Sequence, residues 1–351
     1  MKAVSMFSSA GIGETFFKDL GIDIVTANEL LEKRAELYRS IHQGTDMVQG
    51  DILDQAVFNK FVDSATKHKI EFLLASPPCQ GLSVAGKNRD IESMSKDQRN
   101  HLIYRVIEMI KLLDPTYALI ENVPTLLKVL LPYNEGLMQV KEILFEEFGH
   151  EYIIEARVVD AADYGVPQTR KRAIIKLYKN NTIWPWPKTE EHRTVREAIA
   201  HLPSLESGQK SDIKWHFARK HDERHVLWMK HTPTGYSAFQ NEEYYPRKKD
   251  GTKIKGYETT YRRMQWDEPA PTITIRNDAV SSQRNVHPGR MLSDGTYSDA
   301  RVLTPLELMI LNSLPEDWNI PGDTPEILIR QCIGESIAPL MLKKIIGEIF
   351  K

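Results

Sequence analysis

A cysteine set among turn-forming residues is a poor choice for core filler. Cys79 stands in Ala75-Ser76-Pro77-Pro78-Cys79-Gln80-Gly81, directly after the apolar run Phe72 to Ala75. Buried cysteine usually acts as a small hydrophobe, but prolines and glycine at its flanks mark a turn. A thiolate placed there is a strong nucleophile, and neighbouring cations would lower its pKa from about 8.5. Gln168-Thr169-Arg170-Lys171-Arg172 is one source of such cations, and a bound cationic cofactor would be another. Glu121 opens Glu121-Asn122-Val123, again directly after an apolar run, Ala118 to Ile120. Nucleophile, carboxyl group and guanidinium together are the materials of covalent and acid–base catalysis. Cys332, in an apparent helix start, reads as structural.

A second set of residues suits a nucleoside. Phe7-Ser8-Ser9-Ala10-Gly11-Ile12-Gly13 follows the run Ala3 to Phe7, and small residues between strand and helix let the backbone approach a ligand. Glu29, followed by Leu30, comes after the next run, Ile22 to Ala27, where a carboxylate can accept from both ribose hydroxyls. Asp51, with Ile52 beside it, can accept from an adenine amino group. Each has a plainer reading: a structural turn, an acid complementing a helix dipole, a solvated turn. A nicotinamide-dependent oxidoreductase would use the same glycine turn and acid, but it leaves Pro78-Cys79-Gln80 and Glu121-Asn122-Val123 without a task.

Short apolar runs, Ala173 to Leu177 among them, must position these residues. They alternate with amphipathic stretches such as Leu30 to Ile41 and Leu102 to Leu113. That alternation predicts an α/β fold, a mostly parallel sheet with helices on both faces. Ligands in such sheets bind outside the carboxyl ends of the strands, and the segments that follow Phe7, Ala27, Ala75 and Ile120 fall there. The 351 residues suffice for two domains, and 41% hydrophobic content can build a core. Two cysteines exclude a disulfide scaffold and a four-cysteine zinc site. No apolar run reaches the roughly 20 residues that span a bilayer, so a soluble, cytoplasmic protein without a membrane partner is expected.

The net charge of −2 advertises no nucleic-acid partner, so any such case rests on local charge. Residues 179–300 hold 20 Lys/Arg against 16 Asp/Glu, with seven of the eleven histidines and five of the six tryptophans. This shift, beginning near Trp184-Pro185-Trp186-Pro187, predicts three parts. Residues 1–178 form a catalytic and cofactor domain, 179–300 a second lobe, and 301–351 helices that return to the first domain.

In their order along the chain the motifs resemble those of the cytosine-C5 DNA methyltransferases of bacterial restriction–modification systems. Pro78-Cys79-Gln80 is similar to that family's nucleophile motif, Glu121-Asn122-Val123 to its cytosine-holding motif, and Gln168-Thr169-Arg170-Lys171-Arg172 to its Gln-x-Arg-x-Arg motif. Arg301 to Glu307 and Gln331 to Ile337 resemble the two motifs after the variable lobe. The resemblance implies a Rossmann-like fold and methyl transfer from S-adenosylmethionine, without metal, to C5 of a cytosine flipped from duplex DNA. It implies Cys79, Glu121, Arg170 and Arg172 as catalytic residues. Phe7 to Gly13, Glu29, Leu30, Asp51, Ile52, Pro78, Glu335 and Ser336 would hold the cofactor. Gln80, Ser83, Lys87 and Arg89, in a loop closing over the flipped base, would meet DNA with Gln168, Arg262, Arg263, Arg276 and Arg284. A monomer is expected, linked in function to a cognate restriction endonuclease. The chain departs from the family pattern in three places: either Ser9 replaces a glycine or the turn is shifted by two residues, Leu30 replaces an aromatic residue, and Glu335 an asparagine. A relative acting on cytosine in transfer RNA is the nearest alternative.

Overall fold

The computed structural model describes residues 1–78 and 102–351, so Cys79, Gln80, Ser83, Lys87 and Arg89 lie outside the described residues. The apolar runs pair into one seven-stranded sheet. Its members are β1 (Lys2–Met6), β2 (Asp23–Glu29), β3 (Asp46–Gln49), β4 (Phe72–Ala75), β5 (Tyr117–Asn122), β8 (Tyr152–Asp160) and β9 (Lys171–Lys179). β6 (Leu130–Tyr133) and β7 (Gly136–Gln139) form a separate hairpin. The order across the sheet is β3-β2-β1-β4-β5-β9-β8, with β1 to β5 parallel and β9 antiparallel to both neighbours.

Two features of this topology place the chemistry. The chain runs outward from β1 through β2 to β3, then resumes on the other side of β1 with β4. The β1/β4 boundary is therefore the topological switch point, where open α/β sheets bind ligands. The antiparallel β9 starts at the edge where the parallel strands end, because its Ala173 pairs with Asn122.

All four residues of β4 are buried, as expected for a strand covered on both faces. α1 (Glu32–Ile41), α2 (Gln55–Ala65), α3 (Leu102–Leu113) and α4 (Val140–Phe148) belong to the same unit. α3 buries Leu102, Ile103, Val106, Ile107, Met109 and Ile110, one stripe at helical spacing. Each such side chain, fully buried, contributes about 1.5–3 kcal/mol. Among the described residues no helix is long and apolar enough to cross a membrane.

The chain divides into two compact units, residues 1–160, 171–188 and 342–351 in one, and 161–170 with 189–341 in the other. These borders differ from the expected 1–178, 179–300 and 301–351. Trp184 explains the first difference. Its fully buried ring packs edge-on against Phe72, Tyr117 and Tyr178, and its indole N–H donates to the carbonyl of Ile345 at 2.8 Å. The tryptophan–proline run therefore closes the first unit. Arg301 explains the second. Its buried guanidinium grips both carboxylate oxygens of Glu307, at 2.8 and 2.9 Å, and Asp299 at 2.8 Å. Glu307 also caps α7 (Pro305–Leu311) through a capping box with Thr304.

Little regular structure holds the second unit. Besides α7 it contains α5 (Val195–Ile199), α6 (Glu223–Lys230) and α8 (Glu326–Glu335). Arg263 acts as its central tie: buried, it donates to the carbonyls of Met229 at 2.8 Å, Thr232 at 2.9 Å and His287 at 2.8 Å. Loops with few ladders leave carbonyls to satisfy, and a guanidinium with five donors meets several at once.

Candidate active site

After β1 the backbone makes a tight turn with three left-handed residues in five positions: Phe7 (φ 62°), Ser9 (φ 50°) and Gly11 (φ 71°). Ser9 thus adopts the left-handed conformation that favours glycine. Gly11 has a further reason to lack a side chain, since a Cβ there would lie 2.3 Å from His42 Nε2. That imidazole donates to the Gly11 carbonyl at 2.9 Å, and burial holds its pKa down at about 4. Beneath the turn lies Glu14, which sequence reasoning passed over. It is 4% exposed and accepts hydrogen bonds from the hydroxyls of Ser5 and Tyr38. Burial pushes its carboxyl up to about 7. In sequence this acid cannot be told from one complementing a helix start.

The ends of β1, β2 and β3 are joined by hydrogen bonds. Glu29 accepts from the Ser9 amide at 2.9 Å through one oxygen and from Leu31 at 2.8 Å through the other. Asn28 donates to Val48 at 2.9 Å and Gly50 at 3.1 Å. Asp51 is exposed and caps its own turn by accepting from Leu53 at 2.9 Å, while Ile52 packs into the core. Ala10 and Ile12 are buried; Gly13 is half-buried, and Leu30 is 55% exposed at the rim. A carboxylate oxygen accepts more than one hydrogen bond, so Glu29 can still receive ribose hydroxyls. The Ser9 hydroxyl is buried with no hydrogen-bond partner among the described residues. A polar ligand at this edge would satisfy it, so these residues fit a nucleoside.

Across the switch point the strand ends carry the acid. Glu121, 7% exposed near the end of β5, meets Arg172 at the start of β9, with Nε 2.8 Å from Oε1. Charge-assisted contacts of this kind are about twice as strong as neutral hydrogen bonds. The next residue, Asn122, donates from its buried amide to the carbonyl of Pro77 at 2.8 Å. That bond fixes the chain two residues before Cys79 beside Glu121. The motif containing Asn122 was legible, but its use as a tether was not, because nothing in the sequence states its partner. Pro78, the last residue described before the cysteine, is half-buried.

The other expected site residues among those described fall in the second unit. Arg170 and Gln168 belong to the second unit, where both are buried. Arg170 donates to the carbonyls of Ile273 at 2.7 Å and Gly334 at 2.9 Å. Gln168 accepts from the Ile273 amide at 3.0 Å and donates to Leu311 and Asn312, each at 3.3 Å. These bonds tie distant segments of one unit. Arg263, placed on DNA from sequence, is likewise consumed in the core. Ser336 is buried, with its hydroxyl accepting from Asn312 at 2.9 Å and donating to Ile333 at 3.0 Å, while Glu335 is exposed. Arg276 and Arg284 are exposed and Arg262 is half-buried.

Fold and edge together define an enzyme of the doubly wound α/β class, with a turn that fits a nucleoside and a charged acid–guanidinium pair flanking one switch point. The chain belongs to the C-5 cytosine-specific DNA methylase family, whose pattern matches residues 1–351. It is therefore a cytosine-C5 DNA methyltransferase. It is 60% identical over 347 residues to the Type II methyltransferase M1.HgaI of Avibacterium volantium, covering 99% of this chain and 97% of that one. The Type II methyltransferase M1.HphI of Haemophilus parahaemolyticus is 28% identical over 352 residues, 99% of this chain and 86% of the relative. In fold, the chain is similar to a solved E. coli prophage-encoded structure described as a DNA modification methyltransferase. The TM-score is 0.71 at 18% identity, covering 100% of this chain and 98% of that one.

Proposed function

We propose that the chain transfers the methyl group of S-adenosylmethionine to C5 of a cytosine flipped out of one specific duplex DNA sequence, as the modification partner of a restriction endonuclease. The observation that carries this reading is the bond from Asn122 to Pro77. It holds the described chain, two residues short of the cysteine in the sequence, next to the strand end that carries the Glu121–Arg172 pair. The nucleoside half of the donor would rest on Glu29, Asp51 and the turn from Phe7 to Gly13. S-adenosylmethionine, when bound, supplies an electrophilic methyl carbon on a sulfonium.

Cytosine C5 is a poor nucleophile until the ring is activated. The Cys79 thiolate adds its electron pair to C6, the C5–C6 double bond opens toward C5, and charge develops on N3 and O2. Glu121 hydrogen-bonds N3 and shares a proton with it, while Arg172 holds the carboxyl in place and offers donors to O2. Once C5 carries the methyl group, loss of the C5 proton to a base reforms the double bond and expels the thiolate. Such chemistry needs an extrahelical base, at a cost of a few kcal/mol for unstacking.

A 5-fluorocytosine in the target site tests the assignment, because fluorine cannot leave as a cation. A denaturation-resistant enzyme–DNA adduct on Cys79 is expected, absent in Cys79→Ser and retained in Cys332→Ser. Adduct on Cys332, or on neither cysteine, refutes the mechanism. Adduct with transfer RNA but not DNA keeps the chemistry and overturns the substrate.

A further inference from the structure

Five of the second lobe's 20 cations fall within nine residues: Arg247, Lys248, Lys249, Lys253 and Lys255. The structure makes this run a hairpin. Lys248 donates from its amide to Thr252 at 2.8 Å, Ile254 donates to Pro246 at 2.9 Å, and Gly251 turns the tip with φ 84°. The base of the hairpin is anchored. Ile254 packs on the cluster formed by Trp228, Met229, Ala238 and Tyr261, and Tyr245 donates its hydroxyl to Ile254 at 3.2 Å. Gly256 lies so close to Phe239 that a Cβ would be 2.3 Å from its ring.

The tip is the opposite. Residues 247–253 are all exposed, as is Lys255. Among the described residues none of the four lysines forms an ion pair. The only acid of the run, Asp250, spends its carboxylate on the turn, accepting from the Thr252 amide at 2.9 Å. An ordinary solvated face interleaves its charges, whereas this one concentrates a single sign on a rigidly based projection. Among the described residues only Lys253 of the four meets a ring, its ammonium 4.8 Å from the centre of Tyr245. The lysines are compact point charges without the planar fork that reads guanine. Their complement is a row of phosphates.

We infer that the hairpin around Lys248–Lys255 is a phosphate-gripping arm that holds duplex DNA independently of its sequence. This rests on the reading of the chain as a DNA methyltransferase and adds to it a site for the backbone. Contacts of this kind position a protein without specifying bases. They also release counterions, so that log K falls against log salt by about 0.9 for each phosphate neutralised.

The test is the full chain carrying Lys248→Gln, Lys249→Gln, Lys253→Gln and Lys255→Gln together, with DNA affinity measured from low to high salt on target and non-target duplexes. All four side chains are exposed, so an unchanged melting temperature is expected. The salt slope should become shallower by about 2–4, with both duplexes weakened alike and the methylated sequence unchanged. A slope change below about one overturns the arm, as does a loss confined to the target duplex. Wild-type chain that methylates DNA while the variant keeps its slope sinks the arm alone; wild-type chain that methylates no DNA cytosine sinks the underlying reading.

Discussion

Glu14 is buried below the turn that follows β1, with hydroxyl partners and no cation among the groups that set its titration. Replacing it by glutamine keeps the shape and removes the charge. The Ser5 and Tyr38 hydroxyls can each accept as well as donate, so the amide can be accommodated by rotating hydroxyl hydrogens. The carboxyl titrates at about 7 folded against an ordinary 4.5. At about 1.4 kcal/mol per pH unit, that difference is worth about 3 kcal/mol. The sign follows from which state binds the proton more tightly. The folded state does, so stability from this group is complete below pH 4.5 and is lost as pH rises toward 7. Above 7 the loss is constant. Glu14→Gln has no such loss. Urea unfolding at pH 5, 6, 7 and 8 should therefore show the variant gaining on wild type as pH rises, then levelling off, with unchanged m-values. Parallel curves for the two proteins would refute the argument, because they would mean that Glu14 titrates alike folded and unfolded.

Two other substitutions separate the two halves of the site. Asp51→Ala should weaken S-adenosylmethionine binding by about 0.5–1.5 kcal/mol, the worth of one hydrogen bond; calorimetry showing equal affinity removes Asp51 from the cofactor edge. Arg172→Gln should slow formation of the 5-fluorocytosine adduct while leaving cofactor affinity unchanged, since the guanidinium faces Glu121 rather than the nucleoside edge. Adduct formation at the wild-type rate would show that the pair does not act on the base.

The strands that carry chemistry were legible because they are continuous apolar runs, the pattern of a parallel sheet buried on both faces. β3 and β8 escaped for physical reasons. β3 is only four residues, Asp46–Gln49, with polar ends, and β8 at the sheet edge exposes several of its side chains. Periodicity has little to detect in a short strand or a half-solvated one. The turn after β1 was readable as a place where backbone approaches a ligand, yet its exact seating was not. Only the left-handed φ at Ser9 shows that a serine occupies a position suited to glycine.

The arginines two residues apart show where such reading stops. Arg170 and Arg172 look equivalent in Gln168-Thr169-Arg170-Lys171-Arg172, and chemistry offered no reason to separate them. The difference arises because β9 begins at Lys171. Arg172 is inside the strand, in register with the end of β5, and so reaches Glu121. Arg170 precedes the strand and serves another unit, where carbonyls of Ile273 and Gly334 await donors. A Cβ at Gly334 would meet the Thr274 carbonyl oxygen at 2.4 Å, so that close approach needs glycine as well as the arginine. Gln168, Arg170, Ile273 and Gly334 thus form one knot built from two sequence motifs and the segment around Ile273. Residues two apart in one motif can serve different units, and the start of a single strand decides which.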